Sequence, residues 1–296
     1  MEILPQLLVN ALISGSIYAL ASSGLALSYG LLRILNFAHG HFMMLGAYLF
    51  YALHIQAGLG IFAASLGTLL GVAAISGFSM ATMILPFAKS NFVLAFVSTL
   101  TLSIMLESIV SMVFGVNVKS LSVGSELTSW EIYGVYITPL QLIIIGLALF
   151  SLGVLAFCLH CTSLGRRLRA MSQFEAGAQA LGINSRRMQY LVFMFGALLA
   201  ALTGVLVGFE TNLQPVMGDS YTIKAFAAMV LGGLGNIWGT VVGAYLLALI
   251  ENLGIGLSFW DYSLPAGYKD SFAFFIVLVM LLWRPQGLFG RRQRSV

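Results

Sequence analysis

Long apolar runs constrain this chain more than anything else in it. Stretches of about 20 residues with few or no charges are the length that crosses a bilayer as an α-helix. They recur at roughly 6–29, 41–56, 59–86, 91–114, 140–160, 189–211, 222–254 and 270–284. Of the 296 residues, 59% are hydrophobic and 8% charged, against about 25% charged in a soluble domain. A transmembrane barrel would show short alternating segments instead. The expected fold is all-α: a polytopic helical membrane protein, a single transmembrane domain over residues 1–296. It should have about 8–10 membrane segments, some discontinuous or re-entrant. The first span is too long for a secretory leader and has no basic stretch before it, so it reads as retained.

The net charge of +4 is concentrated in two places, Arg166 to Arg187 and the tail Arg291, Arg292, Arg294. That is a topology signal and a lipid-headgroup contact rather than a nucleic-acid footprint. The segment Ser163 to Arg187, SLGRRLRAMSQFEAGAQALGINSRR, carries five arginines between membrane spans. It must face the cytoplasm, and it is longer than two adjacent spans need. Such a loop suggests a surface on which a soluble partner docks. The tail is cytoplasmic too, so 222–254, broken by Gly232 to Asn236, crosses either zero or two times. Each arm is about 20 Å long, which fits short tilted spans or a re-entrant pair. Working backwards, 115–139 with Glu126 and Glu131 lies outside, the Pro86 to Ser90 turn with Lys89 inside, and the N-terminus outside.

A faint repeat links Leu45 to Leu53 (LGAYLFYAL) with Val242 to Ile250 (VGAYLLALI), each preceded by a helix and a polar break. Small residues recur every four positions at Ala11, Gly15, Ala19, Ser23, at Gly196, Ala200, Gly204, Gly208, and at Gly235, Gly239, Gly243. These read as packing seams, because close backbone approach is what holds helices together in lipid.

No phosphate-cradling glycine loop surrounds any of the four lysines, so the chain itself is not expected to hydrolyse ATP. With two cysteines there is no disulfide framework. Cys158-Leu-His-Cys161 offers three side chains within four helical residues, which cannot all converge on zinc, and reads as free thiols. The break from Gly30 to Gly40 carries Arg33, Asn36, His39 and His41. If it is deep, its free backbone and polar groups can meet a substrate; if it lies at the cytoplasmic surface it is a basic turn. Thr99, Ser103, Glu107 and Ser111 share one helix face. That stripe suggests either a wet lumen or hydroxyls bonded back to their own helix. Glu210 and Glu251 read as interfacial.

Taken together these residues resemble the permease subunits of branched-chain amino acid ABC importers, of the LivH type. The resemblance rests on a co-linear series: Gly15 to Leu20 (GSIYAL), Gly24 to Gly30 (GLALSYG), Asn36 to Gly40 (NFAHG), Leu45 to Tyr48 (LGAY), and Thr101 to Ile104 (TLSI) ahead of Glu107. It continues with Leu181 to Asn184 (LGIN), Val230 to Gly235 (VLGGLG) and Arg284 to Phe289 (RPQGLF). The resemblance implies a multi-pass permease of the bacterial inner membrane, not an enzyme. It would work with a second homologous permease, two cytoplasmic ABC ATPases and a periplasmic solute-binding protein, in contact with lipid and not with nucleic acid. No cofactor is held by this chain, since ATP belongs to the partner subunits.

Within the cytoplasmic loop 161–188, the resemblance implies an ATPase-coupling segment made of Ser172, Gln173, Phe174, Glu175, Ala176, Ala180, Leu181, Gly182, Ile183 and Asn184. Candidates for the translocation path are Asn36, His39, Thr99, Ser103 and Glu107. Glu107 stands where many members carry glutamine, which leaves the solute open among branched-chain and other neutral amino acids. The competing expectation is a self-sufficient secondary transporter or channel for a small polar solute such as urea or a short amide. It would use Glu107 and the His39/His41 break as proton or ion sites. A membrane scaffold with a dry bundle is the third.

Overall fold

The computed structural model describes residues 4–88, 91–121, 129–132, 134–256, 269–284 and 286–290. Lys89, Glu126, Pro285 and the arginine tail lie outside them. The chain runs α1 (Leu4–Leu32), α2 (His39–Tyr51), α3 (Ile61–Ser79), α4 (Leu85–Ala88) and α5 (Phe92–Phe114). A hairpin of β1 (Trp130–Ile132) and β2 (Val135–Ile137) follows. Then come α6 (Pro139–Cys161), α7 (Ser163–Gln173), α8 (Glu175–Ala180), α9 (Ser185–Glu210), α10 (Met217–Gly232), α11 (Ile237–Gly256) and α12 (Lys269–Trp283). Two π-helical turns, Ala52–Gln56 and Met80–Ile84, extend α2 and join α3 to α4. Among the described residues, six helices are long and apolar enough to cross a membrane: α1, the continuous Ile61–Phe87 unit, α5, α6, α9 and α11.

α1 is the central post. It packs against α11, α9, α10 and α6, and is almost wholly buried from Gly15 to Ser28. Its small residues make this possible. Gly15 abuts the ring of Tyr245 on α11, and a Cβ on Gly24 would lie 2.9 Å from the Gly196 carbonyl of α9. A second seam joins α2 to α9, where Gly46 faces the Ala201 backbone and Gly204 faces the Met43 carbonyl. The four-residue series therefore serves as packing surface, as the sequence suggested.

α2 and α10 are short, at 13 and 16 residues, and the reason is local. Arg33 takes a left-handed φ of 54° at the end of α1 and turns the chain. Asn36 then starts α2: its side chain accepts the Ala38 N–H at 3.1 Å, and its carbonyl accepts the His39 N–H at 3.3 Å. His39 Nε2 lies 2.8 Å from the Ala21 carbonyl. By the helical rise, Ala21 is about 17 Å back from Leu32, so α2 begins near the mid-height of α1. α10 begins beside it, with Thr222 reaching Gly40 and Phe37. Its far end, Gly233, meets Gly290 and leads to Gly235 beside Gly30. Two half-helices thus start at one central point and run to opposite ends of α1.

The ends also sort as the sequence reading placed them. Gln6 near the start of α1 exchanges hydrogen bonds with the Tyr136 backbone of the hairpin, at 3.0 and 2.7 Å. At the opposite end a cleft of about 560 Å³ is bordered by Arg33, His160, Arg169, Asn236 and Phe289. The arginine segment and the C-terminal residues therefore share one side.

Candidate functional site

Three elements meet where the half-helices begin. Gly40 in the first turn of α2 lies so close to the Gly218 carbonyl of α10 that no side chain fits between them. Thr222 ties the contact: its hydroxyl accepts the Gly40 N–H at 3.0 Å and donates to the Gly218 carbonyl at 2.7 Å. One residue beyond these glycines stand His41 and Asp219, and α5 brings Glu107 across. His41 Nε2 lies 3.6 Å from Glu107 Oε2 and 3.6 Å from Asp219 Oδ1. All three ligand-type atoms fall within 4.8 Å of one another, close enough to surround a cation. The imidazole is 1% exposed, whereas Glu107 is 29% and Asp219 66% exposed. Glu107 sits about 10 Å inside the end of α5. Charged groups at membrane depth normally face protein or water rather than lipid.

Of the residues singled out in the sequence, Glu107 alone presents an open polar group here. Thr99 is buried and tied to the break, accepting the Phe37 N–H at 3.3 Å and donating to the Phe96 carbonyl at 2.9 Å. Ser103 donates back to the Leu100 carbonyl at 2.7 Å. Asn36 and His39 are buried and occupied by the backbone contacts that build α2. The sequence named His41 in the break without selecting it, and passed over Asp219. An isolated acid just ahead of an apolar helix was the available signal. Beside the cluster, Phe37 packs edge-on to Phe96 with centroids 5.1 Å apart, and Phe226 lies 6.5 Å from Phe37. These half-buried rings line the same face, nearer the Arg33 end.

A second charged cluster overturns one expectation. Glu251 is not interfacial but fully buried. α11 continues past it to Gly256. Tyr18 donates to its Oε2 at 2.8 Å, and Lys224 Nζ lies 4.0 Å away. The same ammonium reaches Asp270 at 2.7 Å and Tyr18 at 3.1 Å, and lies over the Tyr18 ring. α1, α10, α11 and α12 are pinned together there. Glu210 does sit at a helix end, accepting from Gln141 at 3.2 Å. Cys158 and Cys161 are free, and His160 between them accepts from the Trp238 indole at 3.2 Å.

The arginine segment folds as two helices on a small base. Thr162 caps α7 through the Gly165 N–H. α8 ends in a Schellman turn: Ile183 N–H bonds the Ala178 carbonyl at 3.1 Å and Gly182 N–H the Gln179 carbonyl at 2.9 Å. Gly182 takes the φ of +82° that this turn requires. Asn184 then caps α9 through the Arg187 N–H at 3.0 Å. Met171, Ala178 and Met188 form a small core with Ile183, Leu31 of α1 and Leu191 of α9 against it. Glu175 accepts from Ser185 and Gln179, tying α8 to α9. Ser172, Gln173, Ala176 and Ala180 are exposed, as are two large apolar side chains, Phe174 at 68% and Leu181 at 83%. Exposed apolar groups on a polar hairpin are what a docking surface offers.

A family model described as branched-chain amino acid transport system / permease component matches residues 7–282. The chain is 33% identical to the high-affinity branched-chain amino acid transport system permease protein BraD of Pseudomonas aeruginosa, over 97% of this chain and 95% of that protein. It is 31% identical to LivH of Escherichia coli strain K12, over the same shares. It is 30% identical to the ribose import permease protein RbsC of the same organism, over 85% of this chain and 76% of that one. Among solved structures, a chain of PsaBC from Streptococcus pneumoniae in complex with Fab superposes with a TM-score of 0.50 at 16% identity, covering 96% and 92% of the two chains. That likeness concerns the fold alone. With a family model spanning nearly the whole length and relatives above 30% identity over almost all of it, the chain belongs to the permease components of branched-chain amino acid transport systems.

Proposed function

We propose that this chain is the membrane-spanning permease subunit of an ATP-driven importer that carries branched-chain or other neutral amino acids across the bacterial inner membrane. The observation that carries the reading is end-to-end similarity to BraD and LivH. It works with a second homologous permease, two cytoplasmic ATPases that bind the nucleotide, and a periplasmic binding protein that delivers the solute. Similarity to a ribose permease as well supports a reading in which much of the selectivity lies outside the shared scaffold.

The coupling segment is Ser172 to Asn184: the end of α7, α8 and the turn that follows. Its exposed Phe174 and Leu181 seat in the ATPase. Closure of the ATPases then pushes on a stiff lever, because α9 is a continuous helix of 26 residues that grows directly out of the hairpin. α9 packs on α1 and α2, and α2 meets α10 through Gly40 and Gly218. The push therefore reaches the face that carries Glu107 and Asp219, which forms the path with the second permease. Thr99 and Ser103 hold that face in shape from behind.

Gly182→Arg tests the coupling. It should leave membrane insertion intact and abolish ATP-dependent uptake; unchanged uptake would count against the role of the hairpin. Purification from native membranes tests the assembly. An ATPase pair and a second permease should accompany the chain, and a stable chain that purifies alone would point to a gradient-driven transporter.

A further inference from the structure

We infer that His41, Glu107 and Asp219 form a binding station for the α-ammonium group of the amino acid in transit. The inference rests on the function proposed above and adds a ligand chemistry to one place on the path.

Three observations lead there. The first is charge. His41 Nε2 is 3.6 Å from each carboxylate, longer than a hydrogen bond. Its Nδ1 is buried with no hydrogen-bond partner. Among the described residues no Lys or Arg lies within 4.0 Å of Glu107 or Asp219. Even a protonated His41 sets one positive charge against two negative ones, so the cluster lacks a cation. The second is access. The histidine is sealed, while both carboxylates are open on the same face, where a passing solute meets them. The third is the setting. α2 and α10 both begin here, and helix N-termini carry partial positive charge that favours an anion. Half-helix N-termini near the membrane centre are a known way to hold a substrate carboxylate.

A zwitterion matches both halves of this pattern: its ammonium against Glu107 and Asp219, its carboxylate toward the starts of α2 and α10. A bare divalent ion would satisfy the acids and have no use for the helix ends. The ligand atoms fall within 4.8 Å of one another. The two carboxylate oxygens can thus share one ammonium, since acceptors at hydrogen-bond range of about 2.8 Å from it stand up to about 4.6 Å apart.

The test uses the whole importer, both permeases with ATPases and binding protein, in proteoliposomes. Glu107→Gln and Asp219→Asn should each lower ATP-driven L-leucine uptake at least tenfold. EDTA added with Mg²⁺ in molar excess, which preserves Mg·ATP while scavenging Zn²⁺, should leave the wild type unaffected. In the wild type, isoamylamine (leucine without its carboxylate) should inhibit uptake at concentrations that leave leucine on the binding protein. The counterpart 4-methylpentanoate, which lacks the amine, should not. Undiminished uptake by both variants overturns the assignment, as does equal inhibition by the two analogues. So does loss of uptake in EDTA that Zn²⁺ restores, which would make the cluster a metal site. If the variants fail to assemble, the analogue pair on the wild type decides. A wild-type importer that moves no neutral amino acid would sink the function reading itself, whereas leucine uptake that ignores the amine sinks the station alone.

Discussion

Lys224 holds two carboxylates at once, Asp270 at 2.7 Å and Glu251 at 4.0 Å, with Glu251 wholly buried. Removing one partner of a buried ion cluster strands the others, at a cost of about 3–5 kcal/mol. Lys224→Met should therefore lower stability by that order in a denaturation series in mild detergent. Adding Glu251→Gln and Asp270→Asn to the same chain should recover most of the loss. Packing at the α2–α9 seam gives a second expectation. A Cβ on Gly46 would stand 2.5 Å from the Ala201 backbone, so Gly46→Val should overpack the seam and cost about 1–3 kcal/mol, read as a lower melting temperature. The small-residue rows were legible because their spacing alone puts them on one face. Glu251 was misread because the sequence shows a charge but not what stands opposite it. Its hydrogen-bond donor, Tyr18, lies on α1 at the other end of the chain.

At the scale of elements, the hairpin of α7 and α8 is seated on the ends of α1 and α9 through Met171, Ala178 and Met188, with Leu31 and Leu191 against them, and leaves its outer face free. A substitution on its outer face should act on docking and spare the fold. Leu181→Asp should weaken ATPase association at least tenfold, about 1.4 kcal/mol, in a co-purification titration, with an unchanged melting temperature. Much of this element was legible: an arginine-rich segment sets the side, and Leu-Gly-Ile marks a helix stop. The half-helices were legible only as breaks. Asn36 and His39 looked like path residues because polar groups in an apolar run suggest solute contact. Their side chains are spent on the backbone that starts α2, and the open chemistry is carried by Glu107 and Asp219, which meet the sealed His41 two residues further on.

At the scale of the molecule, an all-α membrane fold followed from run length and scarcity of charge, but the faces did not. Membrane helices are apolar toward lipid and toward each other, so no amphipathic stripe says which side is buried. Among the described residues, the open carboxylates of α5 and α10 mark a face that lipid should not cover. In a background with Cys158 and Cys161 replaced by serine, Val216→Cys beside Asp219 should cross-link to the second permease. Phe62→Cys on the exposed side of α3 should not, and the reverse pattern would put the pairing surface elsewhere. The cleft of about 560 Å³ beside α7 has a consequence for the cycle as a whole. A pushed hairpin has room to move into it, and filling it expels on the order of 20 water molecules at about 30 Å³ each. Each turnover would then dehydrate and rehydrate one end of the subunit, which makes transport an osmotic as well as a chemical event. Dextran, a polymer too large to enter the cleft, should favour the compact half of the cycle.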